Sequence, residues 1–372
     1  MSTTTEPFQL KNIYSPALLQ NIADLMSEVW PAFPMQAFLT DVFFDGWQAL
    51  ELKERIRHIS ICLKRHLPAD YRVAAEFIAQ AAERRIAERG EQLNFEYGFL
   101  TDFIEHHGVD DPDFSIPALE RITRYTSAEF AVRPFLLRYP DRMFQQMQAW
   151  SEHESPYVRR LSSEGFRPRL PWGMGVPALK RDPSPILPVL ERLKNDPAET
   201  VRRSVANNLN DISKEHPALV LELARRWQGI SPETDWVVKH ACRSLLKKGD
   251  TTALALFGFE KKENHLVVEE FYCSDQVRIG ERLEFGCKIR NLEPATYKIR
   301  LEYAIAYQTL SGKISRKVFK IKEVNLEAGQ VIQLEKYQRF QDFTTRKHFP
   351  GIHQISILVN GVALASRDFE VL

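Results

Sequence analysis

The chain has 372 residues, 44% of them hydrophobic and 27% charged, with a formal net charge of +1. This composition excludes low-complexity and fibrous classes, and the length is comfortable for two domains. The neutrality is only global: residues 115–250 hold 22 Lys and Arg against 16 Asp and Glu, a local excess of six positive charges that fits an electrostatic footprint for an acidic partner.

The first 260 residues read as helical. Residues 17–29, 35–44 and 50–66 carry apolar side chains at helical spacing, with Leu52, Ile56, Ile59 and Leu63 forming the stripe of the third. Pro68 stops that helix, and 71–88 is the next. Residues 108–112 form a polar break, after which 116–124 and 127–138 resume the pattern. Pro140 and Trp150 are ten residues apart, as are Pro217 and Trp227, so both stretches read as first helices of equivalent repeats, with 183–194 between them. Each is followed by an acidic or Pro-containing turn and then a basic helix. Val158-Arg159-Arg160 recurs as Val201-Arg202-Arg203 at an offset of 43 residues, and a weaker echo at Val237 follows after 36 more. Spacings near 40 belong to HEAT-type helix pairs.

Beyond Gly258 the period changes from helical to alternating. Seven strands are expected: 266–274, 281–291, 297–310, 313–326, 331–341, 352–359 and a last one that follows the tight Asn360-Gly361 hairpin turn with Val362-Ala363-Leu364 and closes at 368–371. The fold class expected is therefore a mostly α HEAT-like solenoid over 1–260, followed by an all-β immunoglobulin-like sandwich over 261–372.

Cys62, Cys242, Cys273 and Cys287 show no Cys-x-x-Cys spacing, so reduced thiols and a cytoplasmic location are expected. The polar N-terminus shows no signal peptide, and no run of about 18 apolar residues predicts a membrane span. His106-His107 reads as part of a solvated loop without partners at metal-ligand spacing, so neither metal nor cofactor is expected.

Stacked repeats would align Arg159, Arg160, Arg202, Arg203 and Lys239 into a basic stripe, suited to duplex nucleic acid. Three segments stand out: Ala128-Glu129-Phe130-Ala131-Val132-Arg133-Pro134-Phe135-Leu136, then residues 159–172 (RRLSSEGFRPRLPW), then residues 202–212 (RRSVANNLNDI). They resemble the hallmarks of the AlkC-type alkylpurine DNA glycosylases, a HEAT-like repeat family related to AlkD, some members of which carry a C-terminal Ig-like domain. The resemblance covers nearly the whole chain. It implies hydrolysis of the N-glycosidic bond of cationic N3-alkylated bases, chiefly 3-methyladenine and 3-methylcytosine, in duplex DNA without flipping the lesion into a deep pocket. It also implies that Glu129, Glu164, Asp211 and Trp172 are catalytic. Arg167 and Arg169 join the basic pairs as candidate DNA contacts.

The chemistry suits these residue types. A base alkylated at N3 is already a cationic leaving group, so a general acid is dispensable. What remains is to stabilise an oxocarbenium-like sugar and position a water, which carboxylates beside the deoxyribose can do. An aromatic ring can pack on that sugar and favour its positive charge. Simpler employments exist: Glu129 with Arg133 and Arg160 with Glu164 have the i, i+4 spacing of surface pairs, Asp211 can cap a helix, and Trp172 can be loop packing. The alternative function is a non-catalytic HEAT scaffold for nucleic acid or protein, and RNA binding is a third reading. Carboxylates among arginines favour chemistry, because a pure polyanion binder avoids acids where phosphates sit. The expected partner is duplex DNA containing alkylated bases, bound by a monomer with no membrane association. Lys313, Arg316, Lys317, Lys320 and Lys322 either extend the DNA contact into the β domain or form a solvated face.

Overall fold

The computed structural model describes residues 9–261, 265–343 and 347–372. Its helical part ends with Thr251–Leu256 and its first strand begins at Leu266. Among the described residues no helix is long and apolar enough to cross a membrane.

The helices are terminated as the sequence dictates. Leu52–His66 opens on a capping box between Glu51 and Glu54, Tyr71–Arg89 on the Asp70 side chain, and Pro156–Glu164 on Ser155 with Pro156 in the first turn. Helix Pro156–Glu164 packs against both Pro140–Trp150 and Glu199–Ile212, and Leu187–Leu193 packs on Glu199–Ile212, the two-layer stacking of HEAT-like pairs. Trp150, Phe166, Val158, Leu161, Val201 and Val205 fill the layers and are almost fully buried, each worth about 1.5–3 kcal/mol in transfer terms. Polar links fix the register: Asn208 Nδ2 donates to the Ser163 carbonyl at 2.8 Å and Ser204 Oγ lies 3.0 Å from Ser163 Oγ. Asn208 thus satisfies a backbone group of the preceding repeat.

Three local expectations are corrected. The helix expected over 127–138 begins only at Val132, so Glu129 sits on the turn before it. His106 and His107 end a helix, Gly98–His107, rather than lying in a loop. The Nδ1 of His106 is 2.8 Å from Arg57 Nη1, and burial lowers the pKa of His107 to about 4. The stretch 183–194 splits into a 3-10 turn, Ser184–Ile186, and Leu187–Leu193, because Pro185 and Pro188 remove two N–H donors.

The strands are β1 (Leu266–Cys273), β2 (Gln276–Val277), β3 (Arg282–Asn291), β4 (Tyr297–Gln308), β5 (Ile314–Leu326), β6 (Val331–Arg339), β7 (Gly351–Val359) and β8 (Val362–Val371). They form a three-stranded sheet, β1-β3-β6, and a five-stranded sheet, β2-β8-β7-β4-β5, closed over one apolar cluster that includes Phe285, Ile289, Leu301, Ile305, Ile355 and Phe369. This is a sandwich. Two residues of β2 escape the alternation reading because a two-residue strand has no period, and the last strand runs unbroken for ten residues from the hairpin turn to Val371. All four cysteines are free and buried, and Cys273 faces Phe285 across the β1-β3 pair.

The chain divides into two compact units, and the division does not fall at the change from helix to strand. One unit runs up to Glu215 and takes in Gly229–Val237; the other holds His216–Gln228 and Val238–Leu372. Within the second unit, helical and strand segments are joined directly. Gly249 and Gly361, both at positive φ, approach so closely that a Cβ on Gly361 would lie 2.8 Å from the Gly249 Cα. Tyr297 Oη donates to the Glu260 carbonyl at 2.6 Å. The expected boundary at 260/261 therefore separates secondary structure types but not packing units.

Candidate active-site cleft

The first unit contains a cleft of about 580 Å³. Its walls come from Leu52–His66, the segment around Phe95, Gly98–His107, the turn at 126–130, the end of Pro156–Glu164 and the loop that follows. Glu129, Arg160, Glu164, Arg167 and Trp172 all line it, as do Lys53, Asp102, Glu105 and Phe130.

Helix Pro156–Glu164 stops at Gly165, where a Cβ would meet Val132 Cγ2 at 2.7 Å, and Pro168 and Pro171 keep the chain from resuming a helix. The loop is held from below by Arg133, whose side chain is fully buried. Arg133 Nη1 donates to the carbonyls of Gly165 and Arg167, both at 3.0 Å, and its Nε to that of Met174. Burial, with Arg167 nearby, lowers its pKa to about 10, so it remains a cation at neutral pH. From above, Lys53 Nζ donates to the Trp172 carbonyl and lies 4.8 Å from the Phe130 ring. Trp172 is left at φ +63°, a conformation rare for a bulky residue, with its indole 64% exposed at the mouth of the cleft.

Neither i, i+4 surface pair forms. Arg160 Nη2 instead donates to Glu129 Oε2 at 2.6 Å, and Ser127 Oγ donates to the same oxygen at 2.8 Å. Arg167 bridges two carboxylates: Nη1 donates to Glu164 Oε1 at 2.7 Å and Nε to Asp211 Oδ2 at 2.9 Å. All three of these groups are nearly buried. Burial alone would lower the Arg167 pKa, but Glu164 and Asp211 outweigh it and hold the guanidinium charged. Asp211 also accepts from Lys214 at 3.1 Å and is not among the lining residues; it sits behind Arg167 and reaches the cleft only through it.

The basic pairs divide by position. Arg159 Nη1 donates to the carbonyls of His153 and Glu154, and Arg202 Nη1 to those of Asp196 and Pro197, in each case the sixth and fifth residues back. Arg159 also makes a two-point ion pair with Asp196 at 2.6 and 3.0 Å. The first arginine of each pair thus ties down its own interhelical turn, because the turn carbonyls need donors. The second of each pair differs. Arg160 enters the cleft; Arg203, with its side chain 56% exposed, pairs with Glu199 and lies over Trp236. Lys239 belongs to the other unit, where it pairs with Glu323. Arg169 pairs with Glu215 and is 40% exposed. Lys53, Asp102 and Glu105 do not stand out in the sequence, and Arg133 does so only as a motif residue, not as the anchor of the loop. Asp102 and Glu105 have i, i+3 spacing, but they lie on a helix that the periodicity does not reveal.

Comparison with known proteins bears directly on this arrangement. A family model described as "DNA alkylation repair enzyme" matches residues 123–245, which contain Glu129, Arg160, Glu164, Arg167, Trp172 and Asp211. Residues 267–372 match "Uncharacterised protein YhaZ, C-terminal Ig-like domain". The uncharacterized protein YhaZ of Bacillus subtilis (strain 168) is 43% identical over 363 residues, 97% of this chain and 99% of the relative. The Pseudomonas fluorescens alkylpurine DNA glycosylase AlkC, solved bound to DNA containing an abasic site analog, matches with a TM-score of 0.90 at 38% identity over 98% of this chain and 100% of that one. The chain belongs to the AlkC-type family of alkylpurine DNA glycosylases. The helical repeats and the Ig-like sandwich are those of the family, and homology to glycosylases that act on alkylated bases supports a hydrolytic enzyme.

Proposed function

We propose that the protein hydrolyses the N-glycosidic bond of cationic N3-alkylated bases, 3-methyladenine and 3-methylcytosine, in duplex DNA, without taking the base into a deep pocket. The observation that carries this reading is the pairing of two carboxylates, Glu129 and Glu164, in one cleft with an exposed Trp172 at its mouth. As the C1′–N bond breaks, its electrons move onto the cationic base, which leaves neutral, and positive charge appears on the sugar. Carboxylates fixed in advance stabilise that charge and accept a proton from the attacking water. Arg160 and Arg167 hold them in place, and Asp211 acts through Arg167 as a positioning residue. The indole offers its π face to the sugar. Support for DNA as the partner comes from the AlkC relative, which was solved on DNA with an abasic site analog. A monomer in the cytoplasm suffices for this chemistry.

The test is single-turnover excision from a duplex bearing one 3-methyladenine. Glu129→Gln and Glu164→Gln should each lose on the order of 10²-fold in rate while affinity for an abasic-analog duplex holds or rises. Near wild-type rates in both variants would remove the carboxylates from the mechanism.

A further inference from the structure

The cleft contains one acid that no arginine holds by a hydrogen bond. Four carboxylates, Asp102, Glu105, Glu129 and Glu164, face three cations, Lys53, Arg160 and Arg167. Three of the acids are held by arginine: Asp102 by Arg57 Nε at 2.8 and 3.0 Å, Glu129 by Arg160, and Glu164 by Arg167. Glu105 accepts no hydrogen bond among the described residues. Its nearest cation is Arg57 at 3.9 Å, and that guanidinium is already engaged by Asp102 and His106. The Glu105 side chain is only 20% exposed.

Three physical penalties meet at this position. A carboxylate largely withdrawn from water has no donor. It stands three residues after Asp102 on the same helix, a like-charge spacing. It lies in the last turn of Gly98–His107, where the helix dipole disfavours an anion. Burial, then Asp102, push its pKa up, and Arg57 and Lys53 only partly oppose them. Within the solenoid a glutamine would serve better. A cation at the cleft relieves all three penalties, and Phe95 and Trp172 line the cleft with exposed aromatic rings on which a cation can rest.

Resting on the glycosylase reading, we propose that Glu105 is the counter-ion for the cationic alkylated base, and so sets the preference for charged over neutral lesions. Its role is then distinct from that of Glu129 and Glu164. The positive charge leaves the base as the glycosidic bond breaks, so Glu105 stabilises the bound lesion more than the transition state. It strengthens binding without raising the chemical rate.

The experiment is a titration of full-length enzyme against a duplex bearing one 3-methyladenine under single-turnover conditions, giving a maximal rate and a half-saturating concentration. Glu105→Gln should raise the half-saturating concentration about tenfold and leave the maximal rate within a few-fold, the reverse of Glu164→Gln. Affinity for a duplex with a tetrahydrofuran abasic analog, or with the neutral isostere 3-deaza-3-methyladenine, should be unchanged. Glu105→Asp, which keeps the charge, should recover part of the loss and guards against a misfolded Gln variant. An unchanged half-saturating concentration overturns the proposal, as does equal weakening on the abasic and neutral duplexes. If the wild type excises nothing, the glycosylase reading fails instead; equilibrium binding to the 3-methyladenine duplex over the neutral isostere then still tests Glu105 separately.

Discussion

At the scale of single residues, chemically identical side chains are sorted by what their backbone surroundings demand. Arg159 and Arg160 are neighbours, yet one closes a turn and the other grips a cleft carboxylate 31 positions away. Sequence spacing shows that cations recur with the repeat. It does not show which of two adjacent arginines meets the unsatisfied carbonyls, because that depends on the turn conformation. The distinction is measurable. Arg159→Met and Arg202→Met should lower the melting temperature and leave the slope of DNA affinity against log salt unchanged. Arg203→Ala should barely affect stability but reduce that slope by about one unit for each phosphate the side chain neutralises. A salt slope lowered by Arg159→Met would return that residue to the DNA-binding face.

Among the elements, the loop after Glu164 is the part whose position most needs explanation. It carries Arg167 and Trp172, contains two prolines, and has no regular secondary structure from 165 to 176. Its shape is imposed from outside, chiefly by Arg133 reaching three of its carbonyls from 32 to 41 residues away in sequence. That is why most helices around the cleft, Gly98–His107 excepted, were legible from periodicity and the cleft was not. Glu129, Glu164 and Trp172 were recognisable as motif residues, while Glu129 is held by Arg160, 31 positions away, and the Trp172 carbonyl by Lys53, 119 positions away. Replacing Arg133 by Met keeps the apolar stem and removes every donor. It should cost about 2–4 kcal/mol, since buried carbonyls lose their partners. Trypsin should then cut after Arg169 in the otherwise native protein. A variant with unchanged melting temperature and an uncut loop would show that the loop holds its shape by itself.

For the molecule as a whole, the change from period 3.6 to period 2 near residue 260 was plain in the sequence, and both halves have the architecture it predicts. The packing boundary was not, because nothing in the periodicity of 238–256 says that this helical segment rests on a β-hairpin. Gly249 against Gly361, Lys239 against Glu323 and the Lys298 bond to the Phe257 carbonyl make it part of the second unit. A protein truncated after Gly258 should therefore melt below the full chain, with faster amide exchange at 238–256 than at 199–212. Equal protection in both segments would mean that the helical part ends its own core at the change of secondary structure. What the whole chain does to damaged DNA is tested most directly by base release. Duplex DNA treated with a methylating agent should be incubated with full-length protein and the released bases resolved by chromatography. A glycosylase of this kind should yield free 3-methyladenine, with 3-methylcytosine beside it, and leave alkali-labile abasic sites in the strand. Tight binding to the same DNA with no base released would contradict that activity and leave a non-catalytic scaffold.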